Sequence, residues 1–324
     1  MFGKWFISPQ QLSRLAVLGM NSRNINYISH YNPRERYPLV DDKLQTKRAA
    51  QQSGIAVPEL LGVIESHWQL RRLSEMVAPW NQFVLKPTRG SGGKGILVIV
   101  GRDFDFFIKS NGSKLELGAL RRHINNILSG LYSLGGKPDK VMIEALINYD
   151  PLLDDYTYEG VPDIRVIVFR GYPVMAMLRC STHASDGRAN LHQGAIGIGI
   201  DIAGGHSLRA VQHSRPVESH PDTGKPFSEL VLPGWDNILE LAAGCYEMTG
   251  LGYIGCDIAL DRDQGPVILE LNARPGLAIQ LANGCGLAAR LRAVEHFEPA
   301  RFELPPRERV ALAQSLFGGA GPGR

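Results

Sequence analysis

Three oxygen-bearing side chains, Asp257, Glu270 and Asn272, fall within one short stretch, GCDIALDRDQGPVILELNARPG at 255–276. Its pattern is that of a β-hairpin. CDIAL at 256–260 and VILELN at 267–272 flank DRDQGP, which is dense in turn formers. Folding the chain about the middle of that turn sets Asp257 opposite Glu270. Asn272, two residues on, shares the face of Glu270 because strand side chains alternate. Two carboxylates held that close repel unless a cation lies between them, and an all-oxygen set suits Mg²⁺ or Mn²⁺. The competing reading is a half-solvated hairpin whose polar face meets water. Arg274, Pro275 and Gly276 follow directly and read as a built corner rather than a generic loop.

A second group of residues suits a polyanion. QFVLKP at 82–87 reads as a strand, TRGSGGKG at 88–95 as a glycine-rich loop, and ILVIV at 96–100 as a second strand. Gly90, Gly92 and Gly95 match G-x-G-x-x-G formally, but the dinucleotide fingerprint needs a helix after the loop, and β-formers follow here. No Walker A sequence is present. The physics survives the failed motif: a glycine-rich hairpin lets backbone N–H groups approach an anion closely. Lys86, Arg89 and Lys94 add positive charge around it. Lys43 lies in the first turn of a helix over 41–54, with Asp41 or Asp42 as N-cap and Gly54 as the stop. The helix dipole disfavours a cation there by roughly a few tenths of a kcal/mol. That placement suits an anionic ligand, against the plainer reading of a solvated lysine. Glu144 sits in an apolar strand, VMIEALI at 141–147, where a carboxylate is costly unless paired.

The remaining elements are those that must position these groups. DIRVIVFRGYPVMAMLR at 163–179 reads as another hairpin turning at RGYP, with Asp163 and Arg165 on one face. A polar loop at 180–195 follows Arg179 and carries Arg188, Asn190, His183 and His192, the histidines reading as structural. A helix at 115–131 places Leu117, Leu120, Ile124, Ile127, Leu128 and Leu131 on one face, with His123 at the surface. A helix at 235–250 is stopped by Gly250. Residues 1–40 read as an arm or cap, and the glycine-rich tail from Phe317 as disordered.

Composition excludes several classes. A net charge of +3 over 324 residues supports neither nucleic-acid nor anionic-membrane binding. Four scattered cysteines without C-x-x-C spacing indicate neither a zinc site nor a disulfide framework, so reduced thiols in a cytoplasmic protein are expected. No apolar run is long enough to span a membrane. The N-terminal MFGKWFISPQQL is too soon interrupted by Pro9 to be a signal peptide.

Taken in order, the chain has a DK helix, a strand ending in Lys-Pro, a glycine-rich hairpin, Ile-Glu-Ala-Leu, Asp-Ile-Arg, Arg-x-Asn-Leu-His-x-Gly-Ala, and Asp followed by Glu-x-Asn-x-x-Pro-Gly. This resembles the ATP-grasp superfamily. Within it the chain is similar to alpha-L-glutamate ligases of the ribosomal-protein-modifying kind and to alpha-L-glutamate ligase-like proteins. The resemblance spans roughly residues 40–290. It implies an α+β fold of two lobes gripping ATP, divided as a linking helix region at 41–76, a lid lobe at 77–147, a C-terminal lobe with the metal site at 148–305, and a tail at 306–324. Carried over by position, Lys43 and Lys86 are the phosphate lysines. Gly90, Ser91, Gly92, Gly93, Lys94 and Gly95 form the lid. Glu144, Ala145, Leu146 and Ile147 form the adenine hinge. Asp163 lies near the ribose and Asn190 near the phosphates. Asp257, Glu270 and Asn272 hold Mg²⁺ or Mn²⁺, and Arg274 and Arg188 are the catalytic cations. The implied activity is ATP- and Mg-dependent joining of a carboxylate and an amine through an acyl-phosphate, of the glutamate type. The acceptor would be an amine or amino acid, with a protein or peptide among the candidates. An ATP-grasp phosphotransferase and a non-catalytic ATP-binding protein are the alternatives. The chain departs from the usual pattern at its start, where only a short segment precedes Lys43 instead of a full N-terminal lobe.

Overall fold

The computed structural model describes residues 7–90 and 92–319. Two antiparallel sheets carry the chain. The smaller has six strands in the order β1 (Leu60–Ile64), β6 (Val141–Glu144), β2 (Phe83–Pro87), β3 (Leu97–Asp103), β4 (Phe106–Lys109) and β5 (Lys114–Glu116). The larger has seven, in the order β11 (Arg215–Val217), β10 (Ser207–Gln212), β9 (Ile196–Ile200), β8 (Tyr172–Cys180), β7 (Asp163–Phe169), β12 (Tyr253–Asp261) and β13 (Gly265–Asn272). Each sheet has its own apolar core, giving the two-lobed α+β architecture expected.

The core of the smaller lobe is built on the helix Leu117–Leu128. Its Leu120, Ile124, Ile127 and Leu128 pack with Phe83, Leu85, Ile99, Val141 and Ile143 from β2, β3 and β6. The helix is shorter than the sequence suggests. Residues 114–116 form β5, and Gly130 turns the chain with φ 84°. Leu131 therefore falls past the helix end and is 67% exposed, not on the apolar face. His123 is half-buried rather than at the surface. Its Nε2 lies 3.0 Å from the Gly95 carbonyl, which can only accept, so Nε2 carries the proton. The apolar strand expected over 141–147 ends at Glu144, and Ala145 N instead donates to the Glu59 carbonyl at 3.0 Å.

In the larger lobe, the helix Trp235–Thr249 ends at Gly250, whose φ of 64° is the left-handed C-cap foreseen. The helix Pro306–Phe317 packs beside it, and Phe317 is buried in the core. Ordered chain thus continues past the start of the glycine-rich tail; residues 320–324 lie outside the described residues. The N-terminal segment packs under the central hairpin. Asn32 is buried, donates to the Tyr253 carbonyl at 2.8 Å and accepts from Tyr253 N at 2.8 Å. Tyr27 and Tyr31 meet Phe169 edge-on at 5.5 and 4.9 Å between centroids. Among the described residues no helix is long and apolar enough to cross a membrane.

The helix Lys43–Gln52 joins the lobes. Asp42 caps it, accepting from Leu44 N at 3.1 Å and Gln45 N at 3.3 Å. Lys43 N donates to the Thr88 carbonyl of the smaller lobe at 2.9 Å, and just past the helix the Ala56 carbonyl accepts from Ile268 N of β13 at 2.9 Å.

Candidate functional site

The hairpin of β12 and β13 has the register its sequence predicts, with Asp257 opposite Glu270 and Gly255 opposite Asn272. Gly255 is required there. A Cβ would lie 2.7 Å from the Pro275 Cβ, so only glycine lets the Arg274–Pro275–Gly276 corner fold down beside Asn272.

The repulsion between the two carboxylates is relieved by side chains. Arg165 donates through Nε to Asp257 Oδ1 at 2.7 Å and through Nη2 to Oδ2 at 2.6 Å. Arg179 Nη2 reaches the same Oδ2 at 2.8 Å, and Asn272 Nδ2 at 3.2 Å. Glu270 has its own cation, Lys43, at 3.3 Å. Burial alone would raise the Asp257 carboxyl, but the guanidiniums of Arg165 and Arg179 hold it below the ordinary value. Arg179 also forks onto Asp163, with Nε to Oδ1 at 2.9 Å and Nη2 to Oδ2. Burial opposes the charge on Arg179, yet the two aspartates outweigh it and raise its pKa. At Asp163 burial prevails over Arg179, and the charge of Asp257 adds to it, pushing the carboxyl up to about 6. Asp163 is thus closed in by Arg179.

The residues present fit a hard cation. Glu270 Oε2 and Asn272 Oδ1 carry no hydrogen bond among the described residues, and Asp257 Oδ1 accepts only from Arg165. The three side chains stand on paired strands, Asp257 opposite Glu270 and Asn272 two residues on, and their oxygens are the donor chemistry Mg²⁺ takes. No group of three His, Cys, Asp or Glu able to hold a metal occurs among the described residues.

A second cluster of paired charges ties the smaller sheet to the helix Lys43–Gln52. The register places Val84 opposite Glu144 and Lys86 opposite Met142, so Lys86 and Glu144 are diagonal neighbours on one face. Lys86 Nζ lies 2.6 Å from Glu144 Oε2, and Lys47 Nζ lies 2.7 Å from Oε1. Burial would raise Glu144, but Lys86 and Lys47 bring it below the ordinary value. The acid that looked costly in an apolar strand is therefore doubly paired. Ala145, Leu146 and Ile147 leave the sheet beside it, half-buried.

The glycine-rich hairpin is held at both roots. Asp139 accepts from Thr88 Oγ1 at 2.6 Å and from Arg89 N at 3.0 Å. His123 holds Gly95, whose φ is 78° and whose added Cβ would lie 2.6 Å from the Tyr132 ring. Between these roots Gly92 and Gly93 also take positive φ, and Lys94 is exposed. Ser91 lies outside the described residues. Lys43 Nζ donates to the Gly90 carbonyl at 2.7 Å while pairing with Glu270, so one ammonium spans the glycine hairpin and the carboxylate hairpin.

Three expected residues make no hydrogen bond or ion pair with these groups among the described residues. Arg188 is exposed and lies 3.6 Å from Asp186. Asn190 caps the turn Leu191–Gln193, accepting from His192 N at 3.0 Å. Arg274 is exposed at the corner with its guanidinium 4.9 Å over the Tyr37 ring. Conversely, sequence reasoning passed over Arg165 and Arg179 as site residues, and Lys47 and Asp139 entirely. The signals were present: Arg165 alternates with Asp163 along one strand, and Lys47 follows Lys43 at helical i, i+4 spacing.

Residues 22–296 match the family described as sugar-transfer associated ATP-grasp. No curated protein sequence matches the chain. Solved structures with a similar course include the ATP-grasp ligase PsnB with its minimal precursor, at 15% identity over 88% of this chain and 63% of that one, with a TM-score of 0.44. D-alanyl-alanine synthetase A from Vibrio cholerae is 10% identical over 87% of this chain and 66% of its own, at a TM-score of 0.46. The RimK domain ATP-grasp protein from Sphaerobacter thermophilus is 15% identical over 81% of this chain and 70% of its own, at 0.42. The chain thus spans less than two thirds of the length of the first two. The assignment rests on the family match.

Proposed function

The chain belongs to the sugar-transfer associated ATP-grasp family, and from that premise we infer that it is an ATP-dependent carboxylate–amine ligase. The observation that carries this reading is the Lys43 ammonium, which bridges the Gly90 carbonyl at 2.7 Å and Glu270 at 3.3 Å. This contact supports the reading because it joins the glycine hairpin, read as covering phosphate, to a carboxylate read as a metal ligand.

Lys43 and Lys86 neutralise the phosphates of ATP, and the backbone amides of the glycine hairpin (Gly90, Ser91, Gly92, Gly93, Lys94, Gly95) cover them. The backbone of residues 145–147 takes the adenine, with Glu144 at its edge. Asp163, enclosed by Arg179, acts on the nucleotide by orienting that arginine. Glu270, Asn272 and Asp257 would hold Mg²⁺, which supplies charge neutralisation at the phosphate oxygens when bound. An oxygen of the substrate carboxylate attacks the γ-phosphorus, releasing ADP and forming an acyl-phosphate. An amine then attacks the carbonyl carbon, phosphate leaves, and the amide nitrogen gives up its proton to solvent. Arg274 or Arg188 stabilises the tetrahedral oxyanion, a role worth about 3 kcal/mol. For Asn190 a place near the phosphates is supported by the sequence resemblance alone. Glutamate-type ligation is the substrate reading the sequence resemblance supports, with a small amine, amino acid or peptide as acceptor.

The test is ADP release with Mg-ATP across a panel of carboxylates, first with amino acids and then with hydroxylamine as the amine. A hydroxamate in the second case and an amide by mass spectrometry in the first support the reading. A phosphorylated acceptor without an amide would make the chain a phosphotransferase. Nucleotide binding without ADP release across the panel would make it a non-catalytic ATP-binding protein.

A further inference from the structure

Lys47, on the helix that joins the lobes, has no part in the chemistry above, yet it is buried. Its ammonium touches Glu144 Oε1 at 2.7 Å and also donates to the Pro58 carbonyl. Its side chain is 5% exposed, while that of Lys86, on the other oxygen of the same carboxylate, is 16% exposed. Two ammonium groups therefore share one carboxylate. Enclosed charges are tolerated when paired, so the cluster carries one cation in excess. Of the two lysines Lys86 is the more exposed and has no second tether among the described residues. Lys47 is tethered from two sides, by Glu144 and Pro58.

We propose that Lys47 is a positioning residue for the nucleotide: it stays on Glu144 as a permanent counter-ion, which leaves Lys86 able to turn from Glu144 to a phosphate oxygen. Without Lys47, Glu144 has Lys86 as its only cation. Lys86 is then held at Glu144, because releasing it would strand a buried carboxylate. Burial depresses the Lys47 pKa, and the charge of Glu144 opposes that effect. The inference rests on the reading of Lys86 as a phosphate lysine.

A double-mutant cycle on the full chain separates the two, with the dissociation constant of Mg-ATP read by calorimetry. Lys86→Met alone should weaken ATP binding about tenfold, the scale of one charge-assisted contact. Lys47→Met alone should weaken it by a similar factor and raise the KM for ATP more than it changes kcat. In the Lys47→Met background, Lys86→Met should have almost no further effect, since Lys86 is already held at Glu144. Additive losses would show Lys47 to be merely structural and would overturn the proposal. If Lys86→Met leaves binding unchanged in the otherwise native chain, the phosphate reading of Lys86 falls, and the proposal with it. Lys47→Arg guards against a Lys47→Met chain that fails to fold. Its fork can take both oxygens of Glu144 and free Lys86, so ATP should bind as tightly as in the native chain or more tightly. Weaker binding in a folded Lys47→Arg chain would also overturn the proposal.

Discussion

Glu270 differs from the other carboxylates of the site in how little encloses it. Its side chain is 34% exposed, it has one cation partner, and its second oxygen is free among the described residues. Asp257, by contrast, is buried between two guanidiniums. Glu270→Ala should therefore remove Mg-dependent ATP turnover while leaving the fold intact. The checks are ADP release and the circular dichroism melt, and full turnover in that variant would sink the metal assignment. Asp163 belongs to the same scale. Its carboxyl is raised from 3.8 to about 6, so the folded chain holds that proton more tightly than the unfolded chain. The stability this contributes is complete below 3.8 and is lost as pH rises through about 6. Asp163→Asn has no such proton to lose. Between those limits the wild type should lose thermal stability with rising pH relative to the variant; parallel melting curves across the window would contradict this.

At the scale of elements, the glycine hairpin owes its course to fixed roots rather than to its glycine content alone. Asp139 holds Thr88 and Arg89, and His123 holds Gly95. Gly95 meets both a backbone and a steric requirement, with φ at 78° and the Tyr132 ring 2.6 Å from a would-be Cβ. Gly95→Ala should cost about 1–3 kcal/mol in denaturant unfolding and raise the KM for ATP by displacing the hairpin. A silent substitution would show that the root position does not matter. The carboxylate hairpin is positioned in the same way, by backbone pairing on both sides of β12 and by the Pro275 corner on Gly255.

For the molecule as a whole, the N-terminal segment is part of the larger lobe's structure. Asn32 fills both backbone hydrogen-bonding groups of Tyr253 and also donates to the Ala273 carbonyl at 3.3 Å, tying the segment to both strands at the open end of the hairpin that carries Asp257 and Glu270. Asn32→Ala leaves buried backbone groups unpaired and should destabilise the chain by about 2–3 kcal/mol, read as a lower midpoint in urea. A midpoint unchanged within error would mean the segment is a loose appendage. The joining helix Lys43–Gln52 has the complementary task, since its first residue contacts both lobes.

Local patterns were sufficient for much of this. Alternation and turn residues predict the hairpins of β7 with β8 and β12 with β13. The Asp257–Glu270 pairing is as expected, but it depends on a bulge between Asp257 and Ile258: the turn pairs Asp261 with Gly265, one residue out of step with Asp257 and Glu270. The Asp42 cap, the Gly250 stop and the glycine hairpin between two strands are equally local, and the ordered motifs point to the ATP-grasp family. The pairing of charges was not legible. That Asp257 is met by Arg165 and Arg179, and Glu144 by Lys47 and Lys86, depends on strands and a helix far apart in sequence being brought within about 3 Å, the range over which hydrogen bonds act. The order of residues alone settles which chemical groups are present and the faces on which short elements display them. Which charges neutralise one another depends on the folded chain, because burial and distance set that balance and neither is a local property.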